Sequence, residues 1–154
     1  MRALVQRVER AQVEVAGDVV GRCGAGYLVL LGVAPTDDEA LARRLWHKVA
    51  TMSVCADDAG KTNLSMLDTG GEVLVVSQFT LYADCRRGNR PSFTGAACPE
   101  LARGVYEAFC NAAREELGEA RVGCGVFGAD MRVGLVNDGP FTVMLDTDEM
   151  GWRA

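Results

Sequence analysis

The spacing of apolar residues in the first part of the chain predicts a run of strands. Residues 2–8 alternate between two faces, which is the period of a strand. Val13–Val15 and Val19–Cys23 flank Ala16-Gly17-Asp18, a sequence typical of a hairpin turn. Tyr27–Val33 is a continuous apolar run whose length suits a buried strand.

Two amphipathic helices are predicted, one in each half of the chain. The first begins at Thr36, which as N-cap would form a capping box with Glu39. Its apolar stripe consists of Leu41, Leu45, Val49 and Met52. The second has Pro99 at its first helical position and ends at Gly118. Its apolar stripe consists of Leu101, Val105, Ala108, Phe109 and Ala112.

The second half of the chain also contains the remaining predicted strands. Glu72–Thr80 has an apolar centre on both faces, as in a covered sheet. Three further strands are predicted at Arg121–Phe127, Met131–Val136 and Phe141–Leu145. Strands outnumber helices, and the helices are far apart in sequence. We therefore expect one α+β domain over residues 1–154, with a mostly antiparallel or mixed, barrel-like sheet and two main helices.

Composition and charge exclude several classes of protein. With 49% hydrophobic and 24% charged residues in 154, the chain is neither disordered nor collagen-like. Its apolar runs are shorter than the ~20 residues of a membrane span, and no signal-peptide core is visible, so we expect a cytoplasmic protein without membrane association. The net charge of −5 argues against general affinity for nucleic acid.

Few residues offer conventional catalytic chemistry. The six cysteines lack zinc or thioredoxin spacing and are expected to be free thiols that pack as small apolar groups. The single histidine, His47, lies off the apolar stripe of the first helix and is expected at the surface. We expect no metal and no cofactor. A cysteine hydrolase that uses Cys85 or Cys124 with His47 stays open as an alternative.

Three segments carry residues that packing alone does not explain. Ser77-Gln78-Phe79-Thr80 closes the most buried strand, at a sheet rim where sites tend to form, although simple strand termination is the structural alternative. Asn137-Asp138-Gly139-Pro140 is predicted as a turn between two strands, and a Gly-Pro peptide can also hold an unusual backbone state. Arg86, Arg87 and Arg90 form the one basic cluster, either a solvated loop or a phosphate contact.

Together these segments resemble the D-aminoacyl-tRNA deacylase family, also called D-tyrosyl-tRNA deacylase. The resemblance extends over nearly the whole chain. The S-Q-F-T and N-D-G-P motifs, about 60 residues apart, are specific in combination. The matching segments are residues 1–8, 63–65, 70–84, 88–93, 127–131 and 137–142. One departure is Phe141, which stands where the family usually has valine after the proline.

The resemblance implies a homodimer that hydrolyses the ester between a D-amino acid and the 3′-terminal adenosine of tRNA. Glycyl-tRNA mischarged on tRNA-Ala would be a second substrate. A cis Gly139–Pro140 peptide would reach into the partner subunit's pocket and select chirality, with Arg7 holding that motif. The adenosine and ester site would be lined by Ser77, Gln78, Phe79 and Thr80, and the tRNA phosphates would meet Arg86, Arg87 and Arg90.

Such a reaction needs no strong protein nucleophile. The substrate ammonium already activates the ester, so water can attack once the oxyanion is stabilised. Backbone N–H groups near Phe79 and Thr80 would provide that stabilisation, and the substrate 2′-hydroxyl would assist proton movement. Two alternatives stay open: Thr80 as a covalent nucleophile, which would need an activating base, and a non-catalytic module that binds the tRNA end.

Overall fold

The computed structural model describes residues 1–152, so the predicted domain of residues 1–154 extends two residues beyond the described range. The strands are β1 (Arg2–Val15), β2 (Asp18–Cys23), β3 (Gly26–Gly32), β4 (Cys55–Ala56), β5 (Thr62–Leu64), β6 (Glu72–Ser77), β7 (Val122–Cys124) and β8 (Arg132–Asp146). The helices are α1 (Glu39–Thr51), the single turn α2 (Met66–Thr69) and α3 (Pro99–Leu117), with 3₁₀ turns at Phe79–Tyr82 and Glu119–Arg121.

Strand β1 organises a mixed sheet. One of its edges pairs antiparallel with β8, and the other pairs antiparallel with β3 and then with β2. β6 joins β3 in parallel, and β7 joins β6 in parallel. β2 and β7 approach closely at glycines: a Cβ on Gly21 would lie 2.4 Å from the carbonyl oxygen of Cys124, and one on Gly123 would lie 2.3 Å from that of Arg22. The sheet is therefore nearly closed and barrel-like, as predicted.

Apolar side chains cover both faces of this sheet. Tyr27 and Val75 point to the outer face, where α1 and α3 pack over them, and Trp46 of α1 meets Phe109 of α3 edge-to-face at 5.6 Å. A second cluster fills the inner face and consists of Val8, Ala11, Val13, Cys23, Leu28, Leu74 and Val76. Burial of each valine or leucine side chain in this cluster contributes about 1.5–3 kcal/mol to the free energy of folding. Within residues 1–152, no helix combines the length and the apolar character that a membrane crossing requires.

Helix α1 begins later than predicted, because its N-cap is Asp38 and not Thr36. The Asp38 carboxylate accepts a hydrogen bond from the Leu41 amide at 2.8 Å. The preceding residue, Asp37, is buried and accepts hydrogen bonds from the Ala34 amide at 2.6 Å and the Met1 ammonium at 3.0 Å. These contacts hold the chain in a turn before the helix starts, so the predicted capping box at Thr36 is wrong.

Strands β1 and β8 also differ from the prediction, and β7 is shorter than the predicted strand Arg121–Phe127. β1 is one uninterrupted strand, and β8 runs through Asn137-Asp138-Gly139-Pro140, which is therefore not a turn between strands. Both halves of β8 pair with β1: Asn137 lies opposite Val8 and Thr142 lies opposite Gln6. The intervening residues 138–141 bulge outward across from a single β1 residue.

Candidate active site

The Ser77-Gln78-Phe79-Thr80 segment lies where β6 leaves the sheet. Ser77 pairs with Leu31, and the Gln78 amide donates to the Leu31 carbonyl oxygen at 2.8 Å. The chain then turns into the 3₁₀ helix, so the prediction that β6 continues to Thr80 is wrong. The first turn of a helix leaves its N–H groups without partners inside that helix. The amides of Phe79 and Thr80 are consequently placed to donate to a ligand.

A cavity of about 600 Å³ adjoins this segment. A volume in this range suits a small-molecule ligand such as a nucleoside. Its polar rim includes Ser77 and Gln78, and its aromatic walls are Phe79, Phe93, Tyr106 and Phe127. The Phe79 ring is 56% exposed and packs edge-to-face on Phe93 at 5.0 Å. The cavity can therefore hold a flat apolar group next to hydrogen-bonding groups.

The Thr80 hydroxyl is exposed and accepts a hydrogen bond from the side-chain amide of Gln78. In the described part of the chain, no ionisable side chain hydrogen-bonds to Thr80. Covalent catalysis by Thr80 would need such a base, so the geometry gives this alternative no support.

The bulge in β8 exposes Gly139 and Pro140 to solvent. The Gly139–Pro140 peptide bond is cis, as the resemblance implied, and Gly139 has a φ of 125°, a conformation that favours glycine. Asn137 closes the base of the bulge, because its side-chain amide donates to the carbonyl oxygens of Arg7 at 2.8 Å and Phe141 at 3.0 Å.

The Arg7 side chain braces the bulge from β1. Its Nε lies 3.0 Å from the Asp138 carboxylate and donates to the Asp138 carbonyl oxygen at 3.3 Å. Its Nη1 donates to the Val54 carbonyl oxygen at 2.6 Å. The guanidinium also lies 5.0 Å from the centre of the Phe141 ring, in cation–π geometry. Phe141, the departure from the family pattern, is thus accommodated by stacking on Arg7.

The two motifs do not meet within this chain. Ser77 is in register with Leu31 and, through β3, with Ala3, whereas the bulge lies across from Arg7. The motifs are thus four residues apart along β1 and on opposite sides of it, with three strand spacings between β6 and β8. At about 3.3 Å per residue and about 4.8 Å per strand, the separation across the sheet is roughly 20 Å.

The arginine cluster lies on a loop that a two-way backbone pairing of Asp84 with Ser92 closes. Arg86 makes a forked ion pair with Asp84, at 2.8 and 2.6 Å, and the hydrogen bonds from Arg86 lower the pKa of Asp84 to about 2. Arg87 and Arg90 are exposed, and neither forms an ion pair with residues 1–152. These two arginines are therefore the cluster's available charges.

The cysteine–histidine alternative lacks the required geometry. His47 is 71% exposed, as predicted, and its ring lies 3.9 Å from the Glu116 carboxylate. In residues 1–152 it hydrogen-bonds to neither Cys85 nor Cys124. All six cysteines are free, as predicted, but Cys85 and Cys98 are exposed and do not pack as apolar groups. No cluster of potential metal-ligating side chains is found in that same range.

Sequence reasoning missed two contributors to the site. The aromatic walls Phe93, Tyr106 and Phe127 come from separate elements, and only the fold brings them together. Arg2 donates to the Leu81 carbonyl oxygen in the 3₁₀ turn at 2.8 Å. Arg2 could have been noticed in the sequence, because it is a charged residue within the alternating pattern of β1.

Comparisons with known proteins agree with this architecture. The family model described as D-Tyr-tRNA(Tyr) deacylase matches residues 4–146. The D-aminoacyl-tRNA deacylase of Deinococcus radiodurans is 59% identical over 146 residues, which cover 95% of this chain and 99% of the relative. That of Roseiflexus castenholzii is 57% identical over 147 residues, which cover 96% and 92%.

A solved structure titled "c-Myc DNA Unwinding Element Binding Protein" superposes with a TM-score of 0.89 at 38% identity, covering 95% of this chain and 98% of that one. The two proteins therefore share the same fold over nearly their whole length. The resemblance drawn from the motifs is confirmed, and the chain belongs to the D-Tyr-tRNA(Tyr) deacylase family.

Proposed function

We propose that this chain is a D-aminoacyl-tRNA deacylase that releases free D-amino acids from tRNA in the cytoplasm, without a cofactor. Glycyl-tRNA mischarged on tRNA-Ala is its second substrate. Family membership supports the reaction class, since the relatives named above are D-aminoacyl-tRNA deacylases. The single observation that carries the proposal is the exposed Gly139–Pro140 bulge, which presents backbone groups outward from the sheet.

The active form is a homodimer in which each bulge serves the partner's pocket. The separation of roughly 20 Å between the two motifs within one protomer supports this arrangement. A two-fold axis would create two equivalent sites from one contact. Apolar side chains are also left uncovered on β8, where Leu135 is 37% and Met144 is 46% exposed.

Chirality is selected by backbone atoms of the bulge. Carbonyl oxygens near Gly139 and Pro140 accept hydrogen bonds from the substrate ammonium. Once the ammonium and the carbonyl carbon are fixed, only one direction is open to a side chain, and the L isomer points at the wall. Glycine has no side chain to exclude and is therefore accepted.

Hydrolysis proceeds by attack of water on the ester carbonyl. The 3′-terminal adenosine occupies the aromatic cavity, and the amides of Phe79 and Thr80 donate to the developing oxyanion. A new C–O bond forms to water and the bond to the ribose 3′-oxygen breaks. The water proton passes by way of the vicinal 2′-hydroxyl to the departing 3′-oxygen. Ser77, Gln78 and the Thr80 hydroxyl orient the substrate.

Single-turnover deacylation of matched D- and L-aminoacyl-tRNA by the purified protein tests this function. We expect rapid release of D-amino acid and glycine, little release of L-amino acid, and no loss of activity in His47→Ala. Binding of aminoacyl-tRNA without release would instead identify a non-catalytic tRNA-end-binding module. Loss of activity in His47→Ala would favour a cysteine hydrolase that uses this residue as its base.

A further inference from the structure

A second cavity of about 350 Å³ lies between α3 and β7. It is separated from the aromatic cavity by Tyr106 and Phe127, which line both. Its lining includes Tyr106, Cys110, Asn111, Arg114, Cys124 and Phe127. The proposed deacylase reaction uses neither of these two cysteines.

Both thiols line this cavity, and each is the largest single influence on the pKa of the other, so the two sulfur atoms lie close together. Cys110 is only 1% exposed, whereas Cys124 is partly exposed. The interaction with Cys110, followed by the positive charge of Arg114, lowers the pKa of Cys124 against the opposing effect of burial. The same interaction and burial raise the pKa of Cys110. Cys124 is therefore the thiol that ionises first.

Arg114 is held in place to act on Cys124. Its Nη2 lies 3.3 Å from the Cys124 sulfur, its Nη1 donates to the Asn111 side chain at 3.1 Å, and its Nε lies 3.2 Å from the Glu119 carboxylate. A thiolate next to a guanidinium and open to a cavity is the environment of an oxidisable cysteine.

We propose that Cys124 and Cys110 form a redox modification site for hydroperoxides. The Cys124 thiolate attacks one peroxide oxygen, the O–O bond breaks, and hydroxide leaves, so that sulfur is oxidised by two electrons to a sulfenic acid. The Cys110 sulfur then attacks the Cys124 sulfur, forming the S–S bond and breaking the S–O bond. The oxygen leaves as water with the Cys110 proton.

The disulfide would act on the neighbouring pocket through shared structure. Cys124 pairs with Val75 of β6, two residues before Ser77. The Tyr106 hydroxyl donates to the carbonyl oxygens of Val75 at 3.0 Å and Gly125 at 3.4 Å. Drawing Cys110 and Cys124 together therefore shifts the wall between the two cavities. This consequence rests on the proposed deacylase function, whereas the disulfide itself does not.

Hydrogen peroxide titration of the full-length protein, followed by non-reducing peptide mapping, tests the site. We expect a cross-link between the Cys110 and Cys124 peptides. In Cys110→Ser, dimedone should trap a sulfenic acid on Cys124, and in Cys124→Ser the Cys110 thiol should stay unmodified. The exposed Cys85 and Cys98 are internal controls. Oxidation of these two before Cys124, or a Cys110→Ser protein that dimedone does not label, would overturn the proposal.

Replacement of Arg114 by Gln tests whether its positive charge activates the Cys124 thiol. We expect Cys124 oxidation to slow by roughly tenfold, because loss of the guanidinium charge raises the pKa of the thiol. Deacylation by the oxidised protein should fall and return with dithiothreitol, and Cys110→Ser should show no such change. A disulfide that leaves deacylation unaltered overturns the coupling. A reduced protein without deacylase activity overturns the proposed function, and the mapped cross-link still decides the redox site.

Discussion

Arg2 and Leu81 are joined by a hydrogen bond of 2.8 Å from the guanidinium to the carbonyl oxygen. This contact connects β1 to the 3₁₀ turn that carries the amides of Phe79 and Thr80. The guanidinium is itself anchored by Asp146 at 2.7 Å and lies 4.5 Å from the centre of the Tyr82 ring. Arg2 is therefore a positioning residue for the proposed oxyanion donors.

Replacing Arg2 by Ala should lower kcat more than it changes KM. The turn would lose a charge-assisted hydrogen bond worth about 1.5–3 kcal/mol and its amides would be less well aligned. We expect kcat to fall by roughly tenfold, with partial rescue in Arg2→Lys, which keeps the charge but not the fork. Steady-state kinetics on D-aminoacyl-tRNA provide the measurement. Equal increases in KM and no change in kcat would assign Arg2 to substrate binding instead.

Replacing Gly139 by Ala should abolish most activity while the fold survives. At a φ of 125°, a Cβ would be strained and would lie 3.0 Å from Nη2 of Arg7. The local cost is about 1–3 kcal/mol, confined to the bulge. Gly134→Ala is the matched control on the same strand, since its Cβ would meet only a Gln12 carbon at 3.9 Å. Similar single-turnover rates for the two variants would contradict the assigned role of Gly139.

Arg7→Ala should reduce D-aminoacyl-tRNA hydrolysis far more than Phe141→Val. Arg7 holds the bulge by contacts to Asp138 and Val54, whereas Phe141 contributes a stacking contact worth about 0.5–1 kcal/mol at a partly exposed site. Phe141→Val also restores the residue usual in the family. We expect it to remain within a few-fold of the parent in rate and in D-over-L preference. A severe loss in Phe141→Val would show that the bulge in this chain depends on the ring.

Thr80→Ala should retain most activity if water is the nucleophile. Among the described residues, the Thr80 hydroxyl hydrogen-bonds only to the Gln78 side chain, and the substitution leaves the backbone amide of residue 80 in place. The D-over-L preference should survive, because the bulge sets it. Measured by single-turnover hydrolysis, complete inactivity of a folded Thr80→Ala protein would favour covalent catalysis.

Arg87→Ala and Arg90→Ala should weaken tRNA binding more than Arg86→Ala. Arg86 is already paired with Asp84, so its charge is less available to a phosphate. Each of the other two should reduce the slope of log K against log salt by about 0.7–0.9. Binding titrations at several salt concentrations, with the double variant, measure this. A larger change of slope in Arg86→Ala would mean that the Asp84 pair opens on binding.

Local signals in the sequence predicted much of this molecule. Helices α1 and α3 were predicted from their apolar stripes, and the start of α3 was predicted from Pro99. These signals depend only on residues within one or two helical turns, so the sequence alone reveals them. The motifs also singled out the residues after β6 and in the bulge, whose roles in the site stay predictions.

Features that depend on distant partners could not be predicted in the same way. Asp37 displaces the expected N-cap because it binds the Met1 ammonium, 36 residues away in sequence. Asn137–Pro140 has the composition of a turn, and only its pairing with an uninterrupted β1 makes it a bulge. Likewise, Tyr106 belongs to the buried side of α3, and its position between two cavities follows from packing.

The bulge also affects whether copies of this chain can pair through the exposed edge of β8. Within residues 1–152, β8 pairs with β1 along one edge and with no other strand along the opposite edge. A long unpaired strand edge can template open-ended stacking of identical chains. The bulge interrupts that edge midway, and Pro140 removes a backbone donor from it. The segment that we propose presents backbone groups to the substrate therefore also interrupts the exposed strand edge at the rim of the barrel.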